Sequence, residues 1–217
     1  MGCYRIAARM RPGRKYLPVV LAGAAGLSVA SAIGMALAPT LLVHSPLGLI
    51  ALSPLGRHLV LVATVTSVVP FVAVAVVRRA LGALTSYGMG FIYGERMLHW
   101  MKEKAPRYSG LVDKLERGFQ RAGPALLFVF PGVTFSALAG IEGMRLRYFV
   151  PTLTAGLTVW MTAFYYVGDA FRDRLAPVMT WLSANMIAAT VISLAVVLVY
   201  EIHRRTRAKG AGAQRNP

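Results

Sequence analysis

Six stretches of the chain run without Asp, Glu, Lys or Arg for long enough to leave water, and they are not alike. Residues 17–38, 59–77, 148–168 and 175–200 are continuous apolar runs. Each matches the ~20 residues that carry a helix across a hydrocarbon core of roughly 30 Å. The other two are interrupted. Residues 39–56, PTLLVHSPLGLIALSPLG, hold Pro39, Pro46, Pro54 and His44, and residues 122–141 hold Pro131 and Gly132 side by side within LLFVFPGVTFSALAG. Proline removes a backbone donor and clashes with the preceding turn, and glycine adds freedom where a spanning helix wants none. Hydrocarbon offers no water to satisfy the freed groups, so broken backbone survives at that depth only inside protein or beside a wet cavity. The pattern therefore predicts four spanning helices and two short hairpins that turn back within the membrane. A kinked ordinary span at Pro131 is the alternative, because proline occurs in true spans.

Charge arranges these elements. With both hairpins re-entrant and the amino terminus inside, the cytoplasmic pieces are 1–16, 78–121, 142–147 and 201–217. They carry 5, 9, 2 and 5 Lys or Arg, 21 of the 24 in the chain, and only Arg57, Arg172 and Arg174 remain outside. That split satisfies the positive-inside rule at every connection. Letting either interrupted segment span exports the nine-charge loop or the basic tail. The hairpin at Pro131-Gly132 then enters from the cytoplasm and the one at 39–56 from outside.

Within 78–121, Ile92, Met97, Leu98 and Met101, then Leu111, Leu115 and Phe119, recur at helical spacing among basic residues. This predicts amphipathic helices at the membrane surface, with Pro106 between them and Trp100 at headgroup level, or else a face packed on the protein. The tail beyond Tyr200 has no apolar periodicity and is expected to be disordered. Arg5, Arg9, Arg11, Arg14 and Lys15 ahead of an apolar run ending in Ala36-Leu37-Ala38 imitate a signal peptide. The run is longer than the roughly 7–15 residues of a signal core, so an uncleaved first span is expected.

Composition changes the picture only at its edges. The chain has 217 residues, 56% of them hydrophobic, with mean hydropathy +0.57, as expected of one helical membrane domain over 17–200 between a basic amino terminus and a basic tail. Its net charge of +16 points to anionic lipid at the cytoplasmic face rather than to nucleic acid, because the basic residues flank apolar stretches. Nineteen arginines against five lysines, with abundant alanine and glycine, fit a GC-rich bacterial genome and so the plasma (inner) membrane. Cys3 is the only cysteine, which excludes an internal disulfide and a cysteine metal cluster. No paired histidines, no nucleophile beside a base and no P-loop are found, so neither an enzyme nor a cofactor is expected.

Ionisable groups near membrane depth are the candidates for function, since each is expensive there. Glu142 follows the Pro131-Gly132 segment, with Arg145 and Arg147 behind it. The two arginines offer forked donors suited to phosphate, or act as ordinary cytoplasmic anchors with Glu142 paired to one of them. Thr134 and Ser136 can donate to a headgroup or bond back to their own helix. A lipid-phosphate site would thus comprise Pro131, Gly132, Thr134, Glu142, Arg145 and Arg147. His44 can respond to external pH or be a solvated turn residue. Asn185 in the last span suggests an interhelical hydrogen bond or a pore lining. Asp169, Arg172, Asp173 and Arg174 are expected to pair locally. Gly88, Gly90, Gly94, Ala139-Gly140 and Gly143 read as close helix packing.

The order of hairpin, span, basic loop, Pro-Gly hairpin, span and span resembles the DedA family of membrane proteins, also called the VTT or SNARE-associated domain. Tyr87-Gly-Met-Gly90 with Gly94 is similar to the family's Y-x-x-G-x-x-x-G. Phe130-Pro131-Gly132-Val133 is similar to its hairpin tip. Ala139-Gly140, Met144 and Phe149 follow at its spacing, and Trp160 and Gly168 take the places of its W and G. The resemblance covers about 40–200. It implies an all-α integral membrane fold of four spans with two opposed re-entrant hairpins, and translocation of lipid phosphates, the undecaprenyl carrier in bacteria or phospholipids in eukaryotic relatives. Phe128 and Thr134 stand where transporting members carry arginines, Phe91 replaces another arginine, and 39–56 lacks the family's acidic residue. A divergent member is therefore expected, either a translocase or a scaffold or assembly factor that retains the fold. Association with further copies of itself stays open.

Overall fold

The computed structural model describes residues 16–94, 109–185 and 187–196 together with Val199, the side chains of 109, 111–116 and 120 excepted. The basic amino terminus, the loop positions Met97, Leu98, Trp100, Met101 and Pro106, the side chains of Leu111 and Leu115, and the tail lie outside the described residues. Among the described residues the chain is helical with no strand: α1 (Leu17–Ala36), α2 (Ala38–His44), α3 (Pro46–Leu52), α4 (Gly56–Ala63), α5 (Val68–Tyr93), α6 (Ser109–Val129), α7 (Val133–Ile141), α8 (Leu146–Ala170), α9 (Arg172–Ala184) and α10 (Ile187–Val196).

Helices α1 and α5 are long and apolar enough to cross a membrane, and α9 with α10 makes a third candidate bent by 95° at its break. Helix α8 spans 25 residues, or about 38 Å. Thr152, Thr154, Thr158 and Thr162 with Tyr165 and Tyr166 dilute its apolar character, and it is not among those candidates.

The run 59–77, expected as one helix, is two. Helix α4 stops at Ala63, α5 starts at Val68 and runs on to Tyr93. Local hydroxyl chemistry accounts for the break: Thr64 Oγ1 and Thr66 Oγ1 each donate at 2.7 Å to a carbonyl one turn back, those of Leu61 and Val62. Such bonds compete with the helix ladder. Pro70 has no N–H for the Thr66 carbonyl, which accepts instead from the Tyr165 hydroxyl at 3.1 Å. A consequence is that Arg78 and Arg79, expected to open the cytoplasmic loop, sit inside α5. Arg78 is buried and donates Nη2 to the Leu27 carbonyl at 3.0 Å.

The last apolar run is also broken, at Asn185. Its amide Nδ2 donates to the Trp181 carbonyl at 3.0 Å, so it closes the end of its own helix rather than bonding across helices. Arg172 does pair with Asp169, at 2.6 Å.

The residues form two compact units, one from 16–27 and 76–161, the other from 28–75 and 162–196. In the second, Leu49, Ile50, Leu59, Val62, Ala63 and Phe71 are fully buried. The Phe71 ring meets Tyr165 edge-on at 5.4 Å. Gly34 admits Leu52 and Ser53, whose Cβ atoms would lie 2.8 Å from a Cβ added to it, and Gly168 admits Ala63 and Val60 in the same way. Hydroxyls tie the ends together: Thr40 and Thr190 at 2.7 Å, and Ser193 to the Met35 carbonyl at 3.0 Å. Small residues at contacts and hydroxyl bonds across helices are what packing in lipid relies on, where the hydrophobic effect gives no drive between helices.

The first unit is organised by Tyr87 and two glycines. A Cβ on Gly90 would fall on the Ala137 carbonyl oxygen, and one on Gly140 on the Tyr87 carbonyl oxygen, so α5 and α7 cross backbone to backbone. The Tyr87 hydroxyl donates to the Met144 carbonyl at 2.5 Å, and its ring lies 4.5 Å from that of Phe149. Gly94 and Gly143 serve differently from the close packing expected of them. Both have positive φ, +53° and +69°, the left-handed conformation that favours glycine at helix ends.

A broken helix and its two ends as the candidate site

The segment 122–141 does not form one helix. Ala122 leaves helical geometry at φ −140° and ψ 36°, and a short arm over 123–129 follows, with Pro124 in its first turn, where a missing N–H does no harm. Phe130, Pro131 and Gly132 lie outside any helix, and α7 forms the second arm. At 1.5 Å per residue the arms are about 10 Å and 13 Å long, neither half of a hydrocarbon core. Helices α2 and α3, seven residues each, are as short, at about 10 Å.

The freed carbonyls at the break find partners. Gly132 N–H donates to the Phe130 carbonyl at 2.7 Å. The Val129 carbonyl, which a continuous helix would give to residue 133, accepts from Trp160 Nε1 at 2.6 Å. Gly156 lets the Phe128 backbone approach so closely that a Cβ on it would lie 2.5 Å from the Phe128 oxygen. Trp160 thus acts as a cap supplied from α8. Trp160→Phe is expected to lower stability by about 0.5–1.5 kcal/mol, the net contribution of one hydrogen bond. Thermal unfolding in detergent measures it, and an unchanged midpoint would show that another donor serves Val129.

The donors have no acceptor among the described residues. Gly132 is the N-cap of α7 in extended conformation, with no side-chain cap. The first intrahelical bond is Ser136 N–H to the Gly132 carbonyl at 3.0 Å, so the N–H groups of Val133, Thr134 and Phe135 have no acceptor within the helix. Thr134 is exposed beside them. Ser136 is fully buried, and among the described residues its Oγ has no hydrogen-bond partner; it neither bonds back to its helix nor reaches the surface. Exposed Phe128, Val129, Phe130 and Val133 surround the tip, and the Phe130 and Phe135 rings stack at 5.7 Å.

The other end of α7 is a separate place. Met144 N–H bonds the Ala139 carbonyl at 2.9 Å and Gly143 N–H the Gly140 carbonyl at 3.1 Å, the paired bonds of a Schellman C-cap. Glu142, half-buried, is the C-cap residue. Arg145 and Arg147 are exposed at the start of α8, and the Arg147 guanidinium lies 4.8 Å over the Tyr148 ring. The six candidate residues therefore divide. Pro131, Gly132 and Thr134 stand at the tip, while Glu142, Arg145 and Arg147 stand about 13 Å away along α7. Sequence spacing signalled both groups but not the distance, which the length of α7 sets. The Trp160 cap and the orphaned Ser136 hydroxyl were invisible in it, since both depend on contacts with distant segments.

Among the described residues no three His, Cys, Asp or Glu side chains gather to hold a metal ion. No family model matches the chain, and no curated protein or solved structure is similar to it.

Proposed function

We propose that this is a divergent DedA-like membrane protein that moves a lipid phosphate, a polyprenyl phosphate or a phospholipid, between leaflets. The observation that carries the reading is the amino terminus of α7, whose open backbone donors and Thr134 sit at the tip of two arms too short to cross. Such a helix end offers donors and partial positive charge to an anion. Arg145 and Arg147 at the base gather the headgroup at the cytoplasmic surface, and the tip receives it. The proposed topology keeps both termini inside, with spans at α1, α5, α8 and the α9–α10 pair and re-entrant hairpins at 39–56 and 122–141. Moving Arg78 and Arg79 from the loop into α5 still leaves 19 of 24 basic residues inside.

Purified protein in liposomes is expected to move a fluorescent polyprenyl phosphate or anionic phospholipid between leaflets. Arg145→Ala with Arg147→Ala should slow transfer at least about ten-fold, since losing two charge-assisted contacts removes about 1.5–3 kcal/mol each. Folded wild type that moves nothing above empty liposomes removes the reading. Movement unchanged in the double variant removes the two arginines and leaves the tip. Topology is tested apart from transport: in a Cys3→Ser background, Gln120→Cys is expected to label only from the cytoplasmic side.

One observation favours a second reading, a scaffold or assembly factor. Tyr87, Gly90, Gly140, Met144, Phe149 and Trp160 are all engaged in packing or capping, and the positions where the family carries arginines hold exposed Phe128 and Thr134. The liposome assay separates the two.

A further inference from the structure

The corner between α3 and α4 carries chemistry that lipid transfer does not use. His58 is 3% exposed, and its Nδ1 lies 3.0 Å from the Ser53 carbonyl oxygen. A carbonyl only accepts, so Nδ1 carries the hydrogen, and in the neutral ring Nε2 is then the bare nitrogen. Ser53 is fully buried, and its Oγ has no hydrogen-bond partner among the described residues. Helix α1 presses on the same corner. Ser31 Oγ donates to the Leu52 carbonyl at 3.4 Å, and the absent side chain of Gly34 is what lets Leu52 and Ser53 approach.

We propose that His58 is a proton-operated latch: the neutral ring holds the α3–α4 corner closed against α1, and the protonated ring releases it. Protonation strengthens the Nδ1–H bond to Ser53, but it also creates a second N–H and a full charge, and both need water or a carboxylate. The ring is only 3% exposed, and the described residues of the surrounding elements offer it no free carboxylate. Helices α1 and α3 and residues 68–75 of α5 have no acidic or basic side chain. Helix α2 offers only His44, exposed and bonded through Nδ1 to the Thr40 carbonyl. Residues 162–170 of α8 add the phenols of Tyr165 and Tyr166, and Asp169, which is paired with Arg172. Asp173 and Arg174 are exposed on α9, and the nearest charge in sequence is the cation Arg57. Burial accordingly pushes the His58 imidazole below its ordinary value of 6.5, against the pull of the Ser53 carbonyl and with Arg57 adding to the descent. The folded ring takes up a proton less readily than the unfolded one. The stability it confers is whole above about pH 6.5 and is lost as pH falls through the window below.

Hydrogen exchange on the full-length protein in detergent tests this without a lipid assay, so its outcome is independent of transport. Corrected for intrinsic rate, exchange of the amides in 49–62 is expected to rise at least about five-fold between about pH 7.5 and pH 5.5, and the melting temperature to fall by about 3 °C or more. His58→Asn keeps a donor near Nδ1 without titrating and should flatten both responses. His44→Gln should leave them intact. A wild type that does not respond, a response unchanged in His58→Asn, or one removed by His44→Gln overturns the latch. Should His58→Asn not fold, the wild type decides: a rise centred on 49–62 upholds the proposal, and a rise spread evenly over the chain overturns it.

Discussion

Gly140→Leu is expected to leave almost no folded protein in the membrane. At Gly140 the obstacle to a side chain is backbone: the first carbon would fall on the Tyr87 carbonyl oxygen and lie 2.8 Å from the Phe91 nitrogen. Overpacking of a core usually costs about 1–3 kcal/mol because neighbouring side chains give way. Here nothing can give except the helices themselves. Moving α7 off α5 breaks the Tyr87 bond to the Met144 carbonyl and separates Tyr87 from Phe149, the contacts that seat the base of the broken helix. The total loss is several kcal/mol against a typical reserve of about 5–15. Gly90→Leu should fail for the reciprocal reason at Ala137. Gly26 and Gly82 make the control, since a Cβ on either meets nothing within 4 Å, and leucine there should be tolerated. Fluorescence-detected size-exclusion of all four variants reads the result. A Gly140→Leu protein that elutes as a single peak at wild-type yield would mean that the crossing of α5 and α7 is not as described.

That crossing was half legible. Small residues at Gly90 and Gly140 announce close packing, but sequence does not say which glycine meets which partner, and it gave Gly94 and Gly143 the same role although their backbones are left-handed. Composition and apolar run length sufficed for a helical chain with helices long and apolar enough to cross a membrane, and Pro131-Gly132 announced the interruption, because proline and glycine act on their own backbone. The break at 64–67 was hidden because Thr64 and Thr66 count as mild in a hydropathy pattern and act through hydroxyl bonds to the preceding turn. Histidines show the same limit. His44 stands out beside a proline-rich turn and is exposed, while His58, next to Arg57, is the buried one. Burial is a property of the assembled corner and leaves no mark at the residue itself.

Joining the two arms should disturb the whole carboxy-terminal half of the chain, so Pro131→Leu with Gly132→Leu is the second substitution expected to have a large effect. The variant removes both reasons for the interruption and lets one helix run over 123–141, about 28 Å at 1.5 Å per residue, close to the roughly 30 Å of a hydrocarbon core. On the proposed topology such a helix delivers Glu142, Arg145 and Arg147 to the far surface. It reclaims the Val129 carbonyl from Trp160 and pulls the Phe128 backbone away from Gly156. Every later connection must then invert, which places the basic tail outside, or the chain must resist inversion because positive charge favours the cytoplasm. Either resolution is visible. With Cys3→Ser and Gln214→Cys as reporter, the double variant is expected to accumulate poorly, and whatever accumulates to show labelling of the tail from outside. A variant that reaches wild-type amounts, melts as wild type does and labels only from the cytoplasm would show that the break is incidental. The open donors of Val133, Thr134 and Phe135 would then have no claim to a lipid phosphate, because a helix that can be closed without consequence is not kept open for a ligand.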